Sequence, residues 1–411
     1  MRRLFTPLRP ESGHLLHLDA LRLFAAMGII LYHTCPSLDV GPWSAIVAIA
    51  VRPVALVVDL FFCVSGFVIA FVYFDKIEDA RSFGSFLQRR LARLAPLHWA
   101  TLAIYVLIGT FIGSQNIHVN IAETYEWRCL PGNFLFLHST GLLCPHLSFN
   151  WVSWSISAEM LMYLTAPALF WIIRRNVTAL GVIAAGIWLA LTLGTHGVNV
   201  WYQWTAVGGF IRAIPSFMFG AWLFAVRESI SKLPFAGAFF WLSVWGFAIG
   251  CCIGLPPIAL LLILYSAVAF GVAADAQHRR SRIVSTLAAG GQLTYSSYML
   301  HPLVMLVLIA GIANRILDTH GLARNLVVLI AFTMVWPVSY FSLVLFEKPA
   351  RRWISGGKVR GSPSGDPGVA IHRTALQRED ETVTALDKAG GLDTSADVES
   401  RSVARETGSK N

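Results

Sequence analysis

The chain has 411 residues, 55% of them hydrophobic and only 13% charged, against about 25% charged in an ordinary soluble domain. With a mean hydropathy of +0.61, this excludes a soluble globular enzyme. Its apolar residues come in long runs rather than in the alternation of a β-barrel, so the fold class read here is all-α and polytopic. The formal charge of +9 is uneven: residues 361–411 hold nine acids and six bases and carry −3, which leaves +12 on residues 1–360. Those bases lie in short loops between apolar runs, where membrane orientation accounts for them and no nucleic-acid partner is expected.

Runs of about 20 apolar residues, the length that crosses a hydrocarbon core, fall near 18–36, 52–74, 94–113, 150–173, 177–194, 206–226, 234–254, 256–274, 290–312 and 325–346. Ten spans put both termini on one side. With the N-terminus inside, twenty Lys and Arg residues occupy inner segments and only Arg52, Arg128, Arg315 and Arg324 occupy outer ones. Basic loops resist translocation, which predicts an N-in/C-in arrangement. The basic start of the chain shows no persuasive small-residue cleavage site, so the first run reads as a retained span. Residues 361–411 are rich in Gly, Ser, Thr, Asp and Ala and contain no aromatic residue. Such a segment cannot bury enough surface to offset chain entropy, which predicts a membrane domain of residues 1–360 and a disordered cytoplasmic tail of residues 361–411.

Within the first span, LHLDALRLFAAMGIILYHT holds Asp19, Arg22 and His33. Eleven steps of 100° bring His33 to within about 20° of the face of Arg22, about 16 Å further along the axis. Asp19 lies one turn before Arg22 on that face. Charges inside a bilayer are costly and mark function by default, whereas the plain alternative is an interfacial ion pair and a helix-end histidine. After the second span, FLQRRLARLAPLHW sets Arg90 and Arg93 one turn apart at the inner surface. That spacing suits a bidentate grip on phosphate, and equally a positive-inside anchor.

The longest outer connection runs from about Ser114 to Asn150, and its apolar stretch from Phe134 to Leu143 is too short to span, as in a re-entrant or interfacial element. Cys129 and Cys144 flank this loop, which leaves a disulfide and two free thiols both open. Cys35, Cys63, Cys251 and Cys252 lie in apolar surroundings as small hydrophobes, and no metal-ligand spacing is present.

In the fourth span, NWVSWSISAEMLMYL places Ser155 and Tyr163 one turn either side of Glu159. A carboxylate there needs a polar cavity, where it can orient a histidine or bind a hydroxyl, or else serves as a hydrogen bond between helices. The sixth span carries Arg212 beside Pro215, and the ninth carries Tyr295, Tyr298 and His301. These fit substrate contact, or outer-interface snorkelling and helix bridging.

Taken in order, LDALR with His33, VDLFFCVSGFVIA (Asp59, Phe61, Ser65, Gly66), RRLARLAP, WSISAEMLMY, RAIPSFMFG, YSSYMLHPL and FEKPARRW (Glu347, Pro349) resemble the acyltransferase 3 family over nearly all of residues 14–353. These are integral-membrane enzymes that modify bacterial surface and secreted glycans. The resemblance implies an inner-membrane O-acyltransferase, most often an acetyltransferase. Its donor is cytoplasmic acyl-CoA rather than a permanently bound cofactor, and its acceptor is a hydroxyl of a carbohydrate or glycolipid. His33, with Glu159, Arg22 and Asp19, would form the catalytic set, with His33 as general base or acyl carrier. Arg90, Arg93, Ser65, Arg212, Tyr298 and His301 would contact donor and substrate. Cys63 stands where the pattern usually has an aliphatic residue, and the hydrolase-like domain that some relatives append is not expected here. A secondary transporter, with its own intramembrane Arg, His and Glu set, is the competing class. It has little need of a phosphate grip at the inner surface.

Overall fold

The computed structural model describes residue 8 and residues 15–115, 122–197, 199–278 and 281–354. Every regular element among them is helical. In chain order these are α1 Leu16–Thr34, α2 Ser44–Ala50, α3 Val57–Tyr73, α4 Ala80–Ser114, α5 Leu130–Phe134, α6 Trp154–Leu164, α7 Ala166–Arg175, α8 Val177–Gly194, α9 Gly209–Ala225, α10 Arg227–Ile230, α11 Ala236–Cys252, α12 Pro257–Ala276, α13 Arg282–Gly290, α14 Thr294–Met305, α15 Gly321–Ser342 and α16 Lys348–Ile354. α14 continues in wider π winding to Ile316. The predicted tail of residues 361–411 lies outside the described residues.

Seven helical runs are long and apolar enough to cross a membrane, or eight if the pair Trp151–Leu164 and Ala166–Arg175, bent by 50°, is one span. α9 and α11 are apolar but only 17 residues long. The predicted runs fall on helices, with 150–173 divided between α6 and α7, and large apolar side chains such as Leu107, Leu242 and Leu322 face outward. A soluble surface rarely carries so many, whereas a multi-pass membrane protein turns them to lipid.

Local chemistry starts several helices. The Asp79 carboxylate accepts from the Ser82 amide at 2.7 Å and the Ser82 hydroxyl accepts from the Asp79 amide at 3.0 Å, a reciprocal cap that opens the 35-residue α4. Asn176 caps α8 through the Ala179 amide at 3.0 Å.

Helix pairing is set by small residues and buried polar partners. Gly66 of α3 lies so close to the Phe217 carbonyl of α9, and Gly220 of α9 to the Cys63 carbonyl, that a Cβ at either would sit about 2 Å from an oxygen. The same pair is joined by Arg212, whose Nη2 donates to Asp59 Oδ2 at 2.7 Å with both side chains buried. Apolar side chains of α1, among them Leu18, Leu21, Ala25 and Ile29, are buried against α3, α12, α13 and α14. That central placement turns the polar positions of α1 toward the protein.

Among the described residues, the connection between α4 and α6 folds as a series of short turns. α5 ends at Phe134, and Leu135 and Leu142 beyond it are exposed. Cys129 and Cys144 are joined by a disulfide.

Candidate functional site

A cavity of about 100 Å³ opens between α1, α3, α4, α6 and α14. It gathers six of the ten residues expected above to act in catalysis or binding, Arg22, Ser65, Arg90, Arg93, Glu159 and Tyr298, together with Ser155, Tyr163 and Tyr295. The remaining wall is largely apolar, with Val58, Phe61, Val68, Ile69 and Leu94. Three guanidinium groups and one carboxylate therefore share one small, largely apolar cavity, where charges interact more strongly than in water.

Each polar wall residue is held by a neighbour. Glu159 accepts from Ser65 Oγ at 2.6 Å and from the Tyr163 hydroxyl at 2.5 Å. These bonds come from α3 and from the next turn of α6, which the helical spacing foresaw for Tyr163. Ser155, one turn before Glu159, donates to the Tyr298 hydroxyl at 2.7 Å. Arg22 Nη1 lies 3.5 Å from Asp19 Oδ1 across one turn. Arg90 is buried with its guanidinium over the Tyr73, Tyr163 and Phe86 rings at 4.8, 5.8 and 5.9 Å. Such faces attract a cation while leaving its in-plane N–H groups for other acceptors. Tyr295 crosses to α4, where its hydroxyl donates to the Leu94 carbonyl.

His33 and His301 lie outside the cavity wall, beside each other. Their rings stack with centroids 5.2 Å apart, and Trp151 meets His33 edge-on at 4.6 Å. Tyr298 links the two regions: it lines the cavity and its ring lies 6.0 Å from that of His301. His301 is fully buried, with Nδ1 3.2 Å from the Ser297 carbonyl and Nε2 lacking a hydrogen-bond partner among the described residues.

Arg212 sits elsewhere. Its paired bonds to Asp59, a bond to the Ala55 carbonyl at 3.3 Å and its place over the Trp154 ring at 5.2 Å make it a buried tie between α3 and α9. Trp151 escaped the reading of the sequence; only its place in the tryptophan-rich NWVSWS just before Glu159 hinted at it. The ligand atoms of Cys129, Cys144 and His146 lie within 4.8 Å of one another, but the two sulfurs are bonded together.

A family model described as "Acyltransferase domain" matches residues 15–344. Among curated proteins, the chain is 31% identical over 184 residues to "Acyltransferase MdmB" of Streptomyces mycarofaciens, covering 43% of this chain and 45% of that protein. It is 25% identical over 339 residues to "Nodulation protein 10" of Rhizobium leguminosarum bv. viciae, covering 73% and 85%. A third relative, "Protein 2 in picA locus" of Rhizobium radiobacter, is 31% identical over 152 residues, covering 37% and 72%. The first match thus spans less than half of its relative's length. No solved structure matches the chain.

Proposed function

The chain belongs to the acyltransferase 3 family, whose members transfer acyl groups, and from that premise we propose that it is an O-acyltransferase moving an acetyl-type group from acyl-CoA to a hydroxyl of a carbohydrate or glycoconjugate. The observation that carries this reading is the cavity in which Arg22, Arg90 and Arg93 meet Glu159, joined through Tyr298 to the His33 and His301 pair. The arginines suit CoA phosphates, because a guanidinium fork matches phosphate oxygens bidentately. The His33 imidazole suits the acceptor hydroxyl as a base.

In the proposed reaction His33 takes the proton of the acceptor hydroxyl as its oxygen attacks the thioester carbonyl. The carbon–sulfur bond then breaks, the ester remains on the acceptor and the CoA sulfur leaves with the proton. Glu159, fixed by Ser65 and Tyr163, orders the cationic wall around the donor. The arrangement we infer in the membrane is ten spans with both termini inside, in a bacterial inner membrane, so that the donor enters from the cytoplasm.

Inverted membrane vesicles given acetyl-CoA labelled in the acetyl group test this. Label recovered as an alkali-labile ester on a carbohydrate supports the proposal. Label that stays on CoA, with net movement of a solute instead, supports a transporter.

A further inference from the structure

Among the described residues, no side chain or carbonyl makes a hydrogen bond to the His33 imidazole; the contacts that locate it are with the Tyr32, Trp151 and His301 rings. A histidine that moves protons is ordinarily oriented by a hydrogen bond on its second nitrogen. Here ring contacts do that work, and the source of Trp151 becomes important.

Trp151 arrives on a segment fastened at several points before it reaches His33. The Cys129–Cys144 disulfide closes the outer loop. Two residues on, His146 Nε2 lies 2.7 Å from Glu126 Oε2. The Phe149 amide donates to the Thr124 carbonyl at 2.8 Å, and the Glu126 amide donates to Ser148 Oγ at 2.9 Å. Phe149 itself is fully buried against Tyr125 and Trp127, with φ of 56°. A bulky side chain takes that left-handed conformation only where its surroundings over-determine it. Asn150 then donates to Thr101 Oγ1 of α4 at 2.7 Å. The next residue is Trp151.

We propose that Trp151 is the positioning residue for His33, and that the disulfide-closed strap from Cys129 to Asn150 holds it there. Resting on the reading of His33 as the reacting base, this makes turnover depend on the oxidation state of two cysteines that do not line the cavity. Reduction by a dithiol supplies two electrons and two protons, giving two thiols on the protein and a cyclic disulfide on the reagent. The strap loses its covalent closure, and the ring contact on His33 loosens.

The test uses the full chain in proteoliposomes with two readouts. One is the rate at which diethyl pyrocarbonate carbethoxylates His33, followed by peptide mass spectrometry, which needs no transfer activity. The other is the split between kcat and KM for acetyl-CoA. The Cys129→Ser/Cys144→Ser double variant and Trp151→Ala are each expected to speed labelling of His33 and to lower kcat by about three- to tenfold at unchanged KM, the size of a lost aromatic pair. Trp151→Phe restores both. His33 labelling and kcat unchanged in Trp151→Ala overturn the proposal, as does a loss that Trp151→Phe fails to rescue. A double variant that fails to fold leaves Trp151→Ala and Trp151→Phe, with the disulfide intact, to decide. Absence of acyl transfer by the unaltered protein overturns the proposed function alone, and the labelling then decides the role of Trp151.

Discussion

The imidazole of His33 on α1 lies nearly parallel to that of His301 on α14, 17° between planes. Two histidines far apart in sequence thus form one unit, with the His301 Nε2 lacking a hydrogen-bond partner among the described residues. The stack places a second imidazole against the proposed base.

His33→Ala is expected to lower kcat by at least 10²-fold, the lower end of the range for loss of a positioned base. His301→Ala should cost less, because the base remains and only its stacking partner is lost. Turnover numbers at saturating donor, on protein of matched membrane abundance, check both. Equal losses would make the two rings partners in the chemistry itself.

Glu159 holds two hydroxyl donors, so Glu159→Gln removes the charge while keeping the shape. A decrease of about tenfold in kcat/KM for acyl-CoA is expected, of the order of one lost charged hydrogen bond. Tyr163→Phe, which leaves the Ser65 bond in place, should lose less. Steady-state kinetics of the two variants decide.

Arg90 and Arg93 differ in their surroundings. Arg90 is packed among three aromatic rings, whereas Arg93 is half-buried at the cavity wall. Replacing either with Ala should raise the KM for acyl-CoA, and Arg90→Lys should be worse than Arg93→Lys, because an ammonium keeps the charge but loses the planar stack and fork. Unchanged donor dependence with reduced abundance would identify them as membrane anchors.

Gly66→Ala and Gly220→Ala each drive a Cβ into the facing backbone at about 2 Å. Overpacking of this kind costs about 1–3 kcal/mol, and more where backbone must move. Lower thermal stability in detergent is expected for both. Gly84→Ala, with nothing within 4 Å of its Cβ, serves as the neutral control.

Asp39 joins the turn after α1 to the start of α15 by accepting from the Gly321 amide at 2.6 Å. That bond, and a second from the Gly41 amide, hold its carboxyl below the ordinary carboxylate range. A group depressed on folding stabilises above its unfolded pKa and loses that contribution as pH falls through the folded value. The tether should therefore be intact at neutral pH and loosen below about pH 4. Exchange at the Gly321 amide, corrected for its intrinsic pH dependence, should accelerate there, and Asp39→Ala should show the acceleration at neutral pH.

What the sequence determined by itself is whatever depends on neighbours along the chain. The apolar runs fall on helices because hydrophobic length and backbone hydrogen bonding are local matters in lipid. The one-turn spacing that brings Asp19 beside Arg22 and Tyr163 beside Glu159 followed from helical geometry alone. The shared face of Arg22 and His33 was also legible, but not that Arg22 would line the cavity while His33 lay beyond it. Tertiary structure decided every pairing between distant spans. It took Arg212 to Asp59, Ser155 to Tyr298, and His301 and Trp151 to His33, and it joined Cys129 to Cys144. The physical reason is that lipid is as apolar as leucine, so hydropathy cannot say which helix meets which. Close approach at Gly66 and Gly220 and the partners available to buried polar groups make that choice, and both exist only once the helices have packed.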